Sequence, residues 1–123
     1  MTDEATQLQL VLDALTAANA FPYTLDQVKR QASPPKRYTE VSVVRRFGGT
    51  PRVAGGSSVT GWRILTRAVA LTEDDAREVR RRYFAALEDV ALGDGTPIEF
   101  ESGDPIAGDD GWSSGLDTWT YAT

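Results

Sequence analysis

The sequence predicts an α+β domain: a mixed or antiparallel sheet of about four strands with two main helices packed on it, in the order α-β-β-α-β-β. Three observations carry this. Two runs rich in β-branched and aromatic residues, Tyr38–Phe47 and Val59–Leu71, flank a glycine-dense connector, the local signature of a long β-hairpin. The stretches on either side of that hairpin repeat apolar residues at three-and-four spacing, as helices do. The last thirty residues return to short β-prone runs separated by glycine and aspartate. At 123 residues, 41% hydrophobic and 25% charged, the chain is expected to form one domain, residues 1–123, burying about two thirds of the surface its unfolded form exposes.

The first helix is expected from Glu4 to Ala18. Leu8, Val11, Leu12 and Leu15 form its apolar stripe, Thr2 or Asp3 caps it, and Asn19 followed by Phe21-Pro22 ends it. Residues 21–36 read as irregular: Thr24-Leu25-Asp26-Gln27 fits a capping box opening a short helix through Gln31, and Tyr23–Leu25 fits a short extended piece equally well. Ser33-Pro34-Pro35 leads into the first hairpin strand as extended chain.

Within the hairpin, Thr39, Val41, Val43, Arg45 and Phe47 share one face and Tyr38, Glu40, Ser42, Val44 and Arg46 the other. In the second strand Trp62, Ile64, Thr66, Ala68 and Ala70 lie opposite Arg63, Leu65, Arg67, Val69 and Leu71. Both strands are polar near the connector and apolar on both faces at the far end, so the connector end should protrude. Four arginines in two strands are too many for a sheet buried on both faces, because arginine is seldom buried unpaired. Part of one face is therefore expected to meet something outside the chain. The connector, Gly48 to Ser58, exceeds the two to five residues of a tight hairpin turn, and a loop displayed on a rigid ribbon is a place for binding residues.

The second helix has Thr72 as cap, Glu73, Asp74 and Asp75 in its first turn, and Gly93 as its expected stop. Ala76, Val79, Tyr83, Leu87 and Val90 form its buried stripe, and Glu73–Arg77 and Glu78–Arg82 are favourable i,i+4 pairs on the outside, with Arg81, Glu88 and Asp89. A third strand is expected at Pro97–Glu101, then an acidic turn-forming stretch from Ser102 to Gly115, then a last strand at Leu116–Ala122 with Trp119 and Tyr121 on one face.

Composition narrows the chemistry. The chain has no cysteine and no histidine, which removes disulfides, thiolate nucleophiles, Cys/His zinc sites and Ser-His-Asp catalysis. An enzyme would have to work with carboxylates, lysine or tyrosine. The acidic amino terminus, and the lack of any apolar run near the roughly 20 residues that span a bilayer, predict a protein kept in the cytosol with no membrane partner. The glycine connector lacks GxxxxGK[ST] and joins two strands, which argues against phosphate binding. Asp104, Asp109 and Asp110 with Glu99 and Glu101 do not follow a calcium-loop spacing and read as a solvated turn. Neither a cofactor nor a metal is expected.

Charge is segregated along the chain. Residues 1–28 hold four acids and no base, residues 29–82 hold all 13 bases with five acids, and residues 83–123 hold nine acids and no base, for a net −5. Three arrangements fit: neutralisation within one subunit, a basic middle meeting nucleic acid, or a basic middle meeting the acidic ends of another copy head to tail. Trp112, Trp119 and Tyr121 are many large aromatics for a terminal strand and would suit an interface if exposed.

The order EVSVVRRFGG, VTGWRILTRAVA, EDDAREVRRRYFAAL and PIEFESGDPIAGDDGWSSGLDTWTYA resembles the small tail terminator (tail completion) proteins of long-tailed bacteriophages, particularly those of actinobacterial hosts. The likeness runs from about Arg37 onward and rests on order, length and dispersed residues. It implies an α+β subunit, six copies of which close a ring on the last tail-tube ring, stop tube growth and offer a docking surface to the head. It implies no enzymatic activity. The implied partners are further copies of the chain, the tail tube protein and a head-tail connector protein, with genomic DNA only passing through. The residues expected at the subunit or tube interface are Arg45, Arg46, Phe47, Arg52, Arg63, Arg67, Trp112 and Trp119, with Arg63 and Arg67 foremost. Another neck or connector protein, or a small DNA-binding domain, is the competing reading, and a carboxylate-based hydrolase is further away.

Overall fold

The computed structural model describes residues 4–29, 35–50, 59–109 and 111–123, with backbone alone at 29, 47–50 and 109. It is an α+β architecture with a mixed six-stranded sheet and three helices, two of them long. In chain order these are α1 (Glu4–Ala17), β1 (Pro22–Tyr23), α2 (Leu25–Lys29), β2 (Arg37–Thr50), β3 (Val59–Ala70), α3 (Glu73–Leu87), β4 (Glu99–Gly103), β5 (Ala107–Asp109) and β6 (Trp112–Ala122).

Helix α1 stops where Asn19 takes a left-handed conformation (φ 57°), with the Ala20 N–H bonded back to Leu15 O and the Asn19 N–H to Thr16 O, a Schellman closure. Its buried face is Gln7, Val11 and Leu15, so one of its three inward positions is polar. Residues 21–29 contain both structures that the sequence left open. Pro22–Tyr23 is extended, and Thr24 caps α2 in a capping box: the Thr24 N–H donates to Gln27 Oε1 (2.9 Å) and the Gln27 N–H to Thr24 Oγ1 (3.2 Å). The expectation that the helix reaches Gln31 falls outside the described residues.

Strand β2 is longer than predicted and runs through Thr50, which pairs with Val59, so Gly48–Thr50 belong to the hairpin ladder and not to its connector. Residues 51–58 lie outside the described residues. The register shifts between Arg45 and Phe47 and again before Thr50, as β-bulges do.

Helix α3 begins at the predicted cap, with the Asp75 N–H donating to Thr72 Oγ1 (3.1 Å). It ends at Leu87, six residues before the predicted glycine. Asp89 takes the left-handed position (φ 60°) that glycine was expected to fill at Gly93, a conformation in which aspartate is tolerated. The Asp89 N–H then bonds Ile98 O and the Ile98 N–H bonds Val90 O, both at 2.9 Å, so Val90 lies in a return bend and not on the helix stripe.

The acidic stretch after β4 is also more ordered than predicted, because β5 pairs with the start of β6 and extends that strand back to Trp112.

The sheet order is β1-β2-β3-β6-β4, with β5 pairing the start of β6. Among the described residues β1–β2 is parallel and the other pairs are antiparallel. Residues fall into rows across four strands: Val44, Arg63, Thr120 and Glu99 make one row, Val43, Ile64, Trp119 and Phe100 the next, and Val41, Thr66, Asp117 and Gly103 another. Helices α1 and α3 cover one face, where Val11, Leu15, Val79, Tyr83 and Leu87 pack on Val41, Val43, Trp62, Ile64, Trp119 and Tyr121. Tyr121 on β6 donates its hydroxyl to Gln7 Oε1 on α1 at 2.5 Å, which satisfies both polar groups inside this core.

Candidate functional site

Two arrangements carry chemistry: the face of the sheet turned away from α1 and α3, and a polar network beneath α3.

On the first, the period-two alternation of the strands places Ser42 and Val44 of β2 beside Arg63, Leu65 and Arg67 of β3 and Leu116, Thr118 and Thr120 of β6. All three β3 residues are half-buried, and Ser42, Val44 and Arg46 are exposed. Arg63 Nη2 donates to both carboxylate oxygens of Glu101, at 3.1 and 3.4 Å, joining β3 to β4 across β6. Its Nε is buried without a hydrogen-bond partner. Arg67 stands opposite Glu40. Burial raises the Tyr38 phenol above its ordinary value, and Glu40 adds to this while Arg67 opposes it, which puts all three groups within electrostatic reach of one another.

The second arrangement is internal. Asp117 on β6 is 2% exposed and accepts a hydrogen bond from the Tyr83 hydroxyl, while Arg80 Nε lies 2.8 Å from its Oδ2. That Nε–H is not aligned as a hydrogen bond, so the Arg80–Asp117 contact is electrostatic, and Arg80 Nη2 instead donates to Asp104 O at 2.6 Å. Burial pushes the Asp117 carboxyl above its usual range, against Tyr83 and Arg80, which hold it down. Burial likewise raises the Tyr83 phenol, with Asp117 adding to the effect. The backbone closes over the network: a Cβ at Gly103 would collide with Asp117 Oδ1, and one at Gly115 with Arg80 Nη2. Behind main chain the phenol is thus hydrogen-bonded to the carboxylate and the guanidinium neutralises it, which ties α3 to β6 and leaves the carboxylate shielded from solvent.

Of the residues expected at an interface, the structure brings Arg63, Arg67 and Trp112 onto the face turned away from α1 and α3, and exposed Arg46 sits at the register shift between Arg45 and Phe47. Trp112, half-buried, opens β6 there. Arg46 also borders a hollow of about 320 Å³ with Thr96, Pro97, Glu99, Thr120 and Tyr121. Arg45 is exposed on the opposite face, its guanidinium 5.6 Å from the Trp62 ring centroid. Phe47 is in β2, paired with Gly61, and Arg52 lies outside the described residues. Trp119 is a correction: it is fully buried, packed edge-on by Tyr83, Phe84 and Phe100 with its Nε1–H donating to Thr66 Oγ1 at 3.0 Å, and has no surface to offer a partner.

No protein-family model and no curated protein matches the chain.

The charge segregation is partly settled inside the subunit. Glu101 and Asp117 from the acidic end meet Arg63 and Arg80 from the basic middle, and Arg77, Arg81 and Arg82 pair with Glu73, Asp74 and Glu78 along α3. Arg82 Nη1 also donates to Asn19 O at 2.9 Å, and its guanidinium and that of Arg37 lie 5.6 and 5.0 Å from the ring of Phe21, a residue held at φ 52°. Sequence reasoning missed Arg80, Asp117 and Gln7. Each had a signal: Arg80 is four residues after buried Ala76, Asp117 alternates with Trp119 and Tyr121, and Gln7 is four residues before Val11. Among the described residues no helix is long and apolar enough to cross a membrane, and no three acidic residues gather as a metal site would require.

Proposed function

We propose that this chain is a structural subunit of a bacteriophage tail: a terminator that closes as a ring on the end of the tail tube, stops tube growth and receives the head. The observation that carries the reading is the sheet face over β3 and β6 turned away from α1 and α3, on which Leu65 and Leu116 alternate with Arg63 and Arg67. A half-buried mixture of aliphatic and arginine side chains is suited to docking against another protein. The likeness of the chain from Arg37 onward to tail terminators supplies the kind of assembly, and the neutralised arginines of α3 speak against a surface built to grip phosphate. On this reading the tail tube protein and the connector are the partners, the virion tail is the location, and DNA passes through without being held.

Deleting the gene tests it. A terminator mutant produces overlong tails without heads, visible by electron microscopy of lysates. Tails of normal length beside unjoined heads would instead assign the chain to the head side of the joint, and normal infectious particles would remove it from assembly altogether.

A further inference from the structure

Among the described residues the sheet has two edges without a full partner strand, and they match each other. On the outer edge of β2, β1 pairs only with Thr39 and Glu40, and no described strand continues beyond them. The Thr39 N–H points outward to Phe21 O, so by strand alternation Val41 and Val43 turn their N–H and C=O groups the same way. At the other end of the sheet β4 pairs with β6 on one side, and its far side has no described partner strand. All five residues of β4 are exposed. Unpaired ladder groups of this kind are a template for another strand.

The two edges sit at one height. Glu99, Phe100, Ser102 and Gly103 lie in the rows of Val44, Val43, Ser42 and Val41, which is the part of β2 left uncovered by β1. Side chains correspond face for face, because rows join residues that point the same way. Each edge also exposes one large apolar side chain at this height, Val44 at 40% on the face away from α3 and Phe100 at 44% on the face toward it. The charges are opposite. β4 carries Glu99 and Glu101, and β2 carries exposed Arg45 and Arg46. Glu101 is paired with Arg63 in its own chain, whereas Glu99 has no ion-pair partner among the described residues.

We propose that the sheet continues from one copy of this chain to the next, the free edge of β4 pairing antiparallel with Val41–Val44 of β2 in the neighbouring copy. A rotation about an axis along the strands keeps strand directions, so the junction repeats the antiparallel sense of β6–β4. It places Glu99 beside Val44 of the neighbour, next to the register shift that holds exposed Arg46, and Phe100 beside Val43 and diagonal to Arg45. Because the contact joins two different edges it is heterologous, and it closes when the rotation permits. The proposal deepens the ring reading above by naming its contact.

The absence of cysteine makes the test clean. Ser42 and Ser102 are both exposed and share a row. Within one chain they stand three strand spacings apart, about 14 Å, too far for a disulfide. The full-length chain carrying Ser42→Cys and Ser102→Cys should therefore give a ladder of disulfide-linked oligomers on mild oxidation, with the folded state checked by urea denaturation. Either single variant should give no ladder. Adding Glu99→Lys should lower the yield roughly fivefold at low ionic strength, with the difference fading in high salt. Dimers alone from Ser42→Cys would mean a symmetric β2–β2 contact and overturn the proposal, as would a folded double variant that stays monomeric. If the double variant is incorporated into tails and does not cross-link there, the edge pairing fails while the terminator reading stands. If it forms the ladder and gene deletion leaves tails unchanged, the reverse holds.

Discussion

Tyr121 and Gln7 stand 114 residues apart in the chain and share a 2.5 Å hydrogen bond in the core, phenol to amide oxygen. Both are almost fully buried, so neither finds water if the other is removed. Gln7→Ala should cost about 1–3 kcal/mol, the usual penalty for an orphaned buried polar group, whereas Gln7→Leu combined with Tyr121→Phe should be close to neutral. Urea unfolding of the two single variants and the pair measures this, and additive losses would show that the bond contributes nothing of its own.

Alkaline stability depends on the same residue. Burial raises the Tyr121 phenol from 10.0 to about 12, and it raises Tyr83 as well. A group whose folded pKa lies above its unfolded one contributes stability that is complete below the unfolded value and is lost as pH rises through the folded one. The urea midpoint should therefore hold steady up to about pH 10 and fall between pH 10 and 12, and Tyr121→Phe should make that fall shallower. A wild-type midpoint flat across the interval would contradict the burial of these phenols.

The Arg80–Asp117–Tyr83 network should be intolerant from both sides. Asp117→Ala strands a largely buried guanidinium and should cost about 3 kcal/mol, the low end for breaking a buried pair because Arg80 keeps some contact with water. Gly115→Ala removes no polar group at all, yet it should cost about 1–3 kcal/mol by pushing Arg80 aside and crowding Ile106 Cδ1 and Asp104 O. Thermal melts of the two variants suffice, and an unperturbed Gly115→Ala melt would mean that the backbone does not sit over Arg80.

Arg63 is paired inside its own subunit and also lies on the candidate docking face, and a charge swap separates the two roles. Arg63→Glu alone sets two acids together and should cost at most about 1 kcal/mol, because the pair is more than a third exposed. Arg63→Glu with Glu101→Arg should restore that stability. Tail completion by the swapped variant in a deletion strain should stay impaired, because the docking face now presents the opposite sign at β3. Full rescue would confine Arg63 to its internal pair.

What the sequence made legible was what local pattern governs. The alternation in Tyr38–Phe47 and Val59–Leu71 located the hairpin and its two faces, and Thr72 with its three acids located the start of α3. The end of that helix was misread because Asp89 does what glycine does more cheaply, and only the return of Ile98 onto Val90 shows it. β5 was hidden for a related reason: Gly108 looks like a turn residue until β6 is there to pair with it. Gly103 and Gly115 also read as loop glycines, and their real constraint, a carboxylate on one side and a guanidinium on the other, depends on contacts made far along the chain. Of the site, the arginines on the face turned away from α1 and α3 were visible from period two, but exposure was not. Trp119, attractive as an interface residue by type, is core because Phe84 and Phe100 close over it.

β6 runs between β3 and β4, so neither can complete its ladder until residues 112–122 have left the ribosome. Without β6, Trp62 and Ile64 face a gap where Tyr121 and Trp119 sit in the folded chain. Non-local pairing of this kind is slow and leaves sticky surface open while it waits. Chaperone binding should therefore persist until β6 is inserted and drop sharply once it pairs.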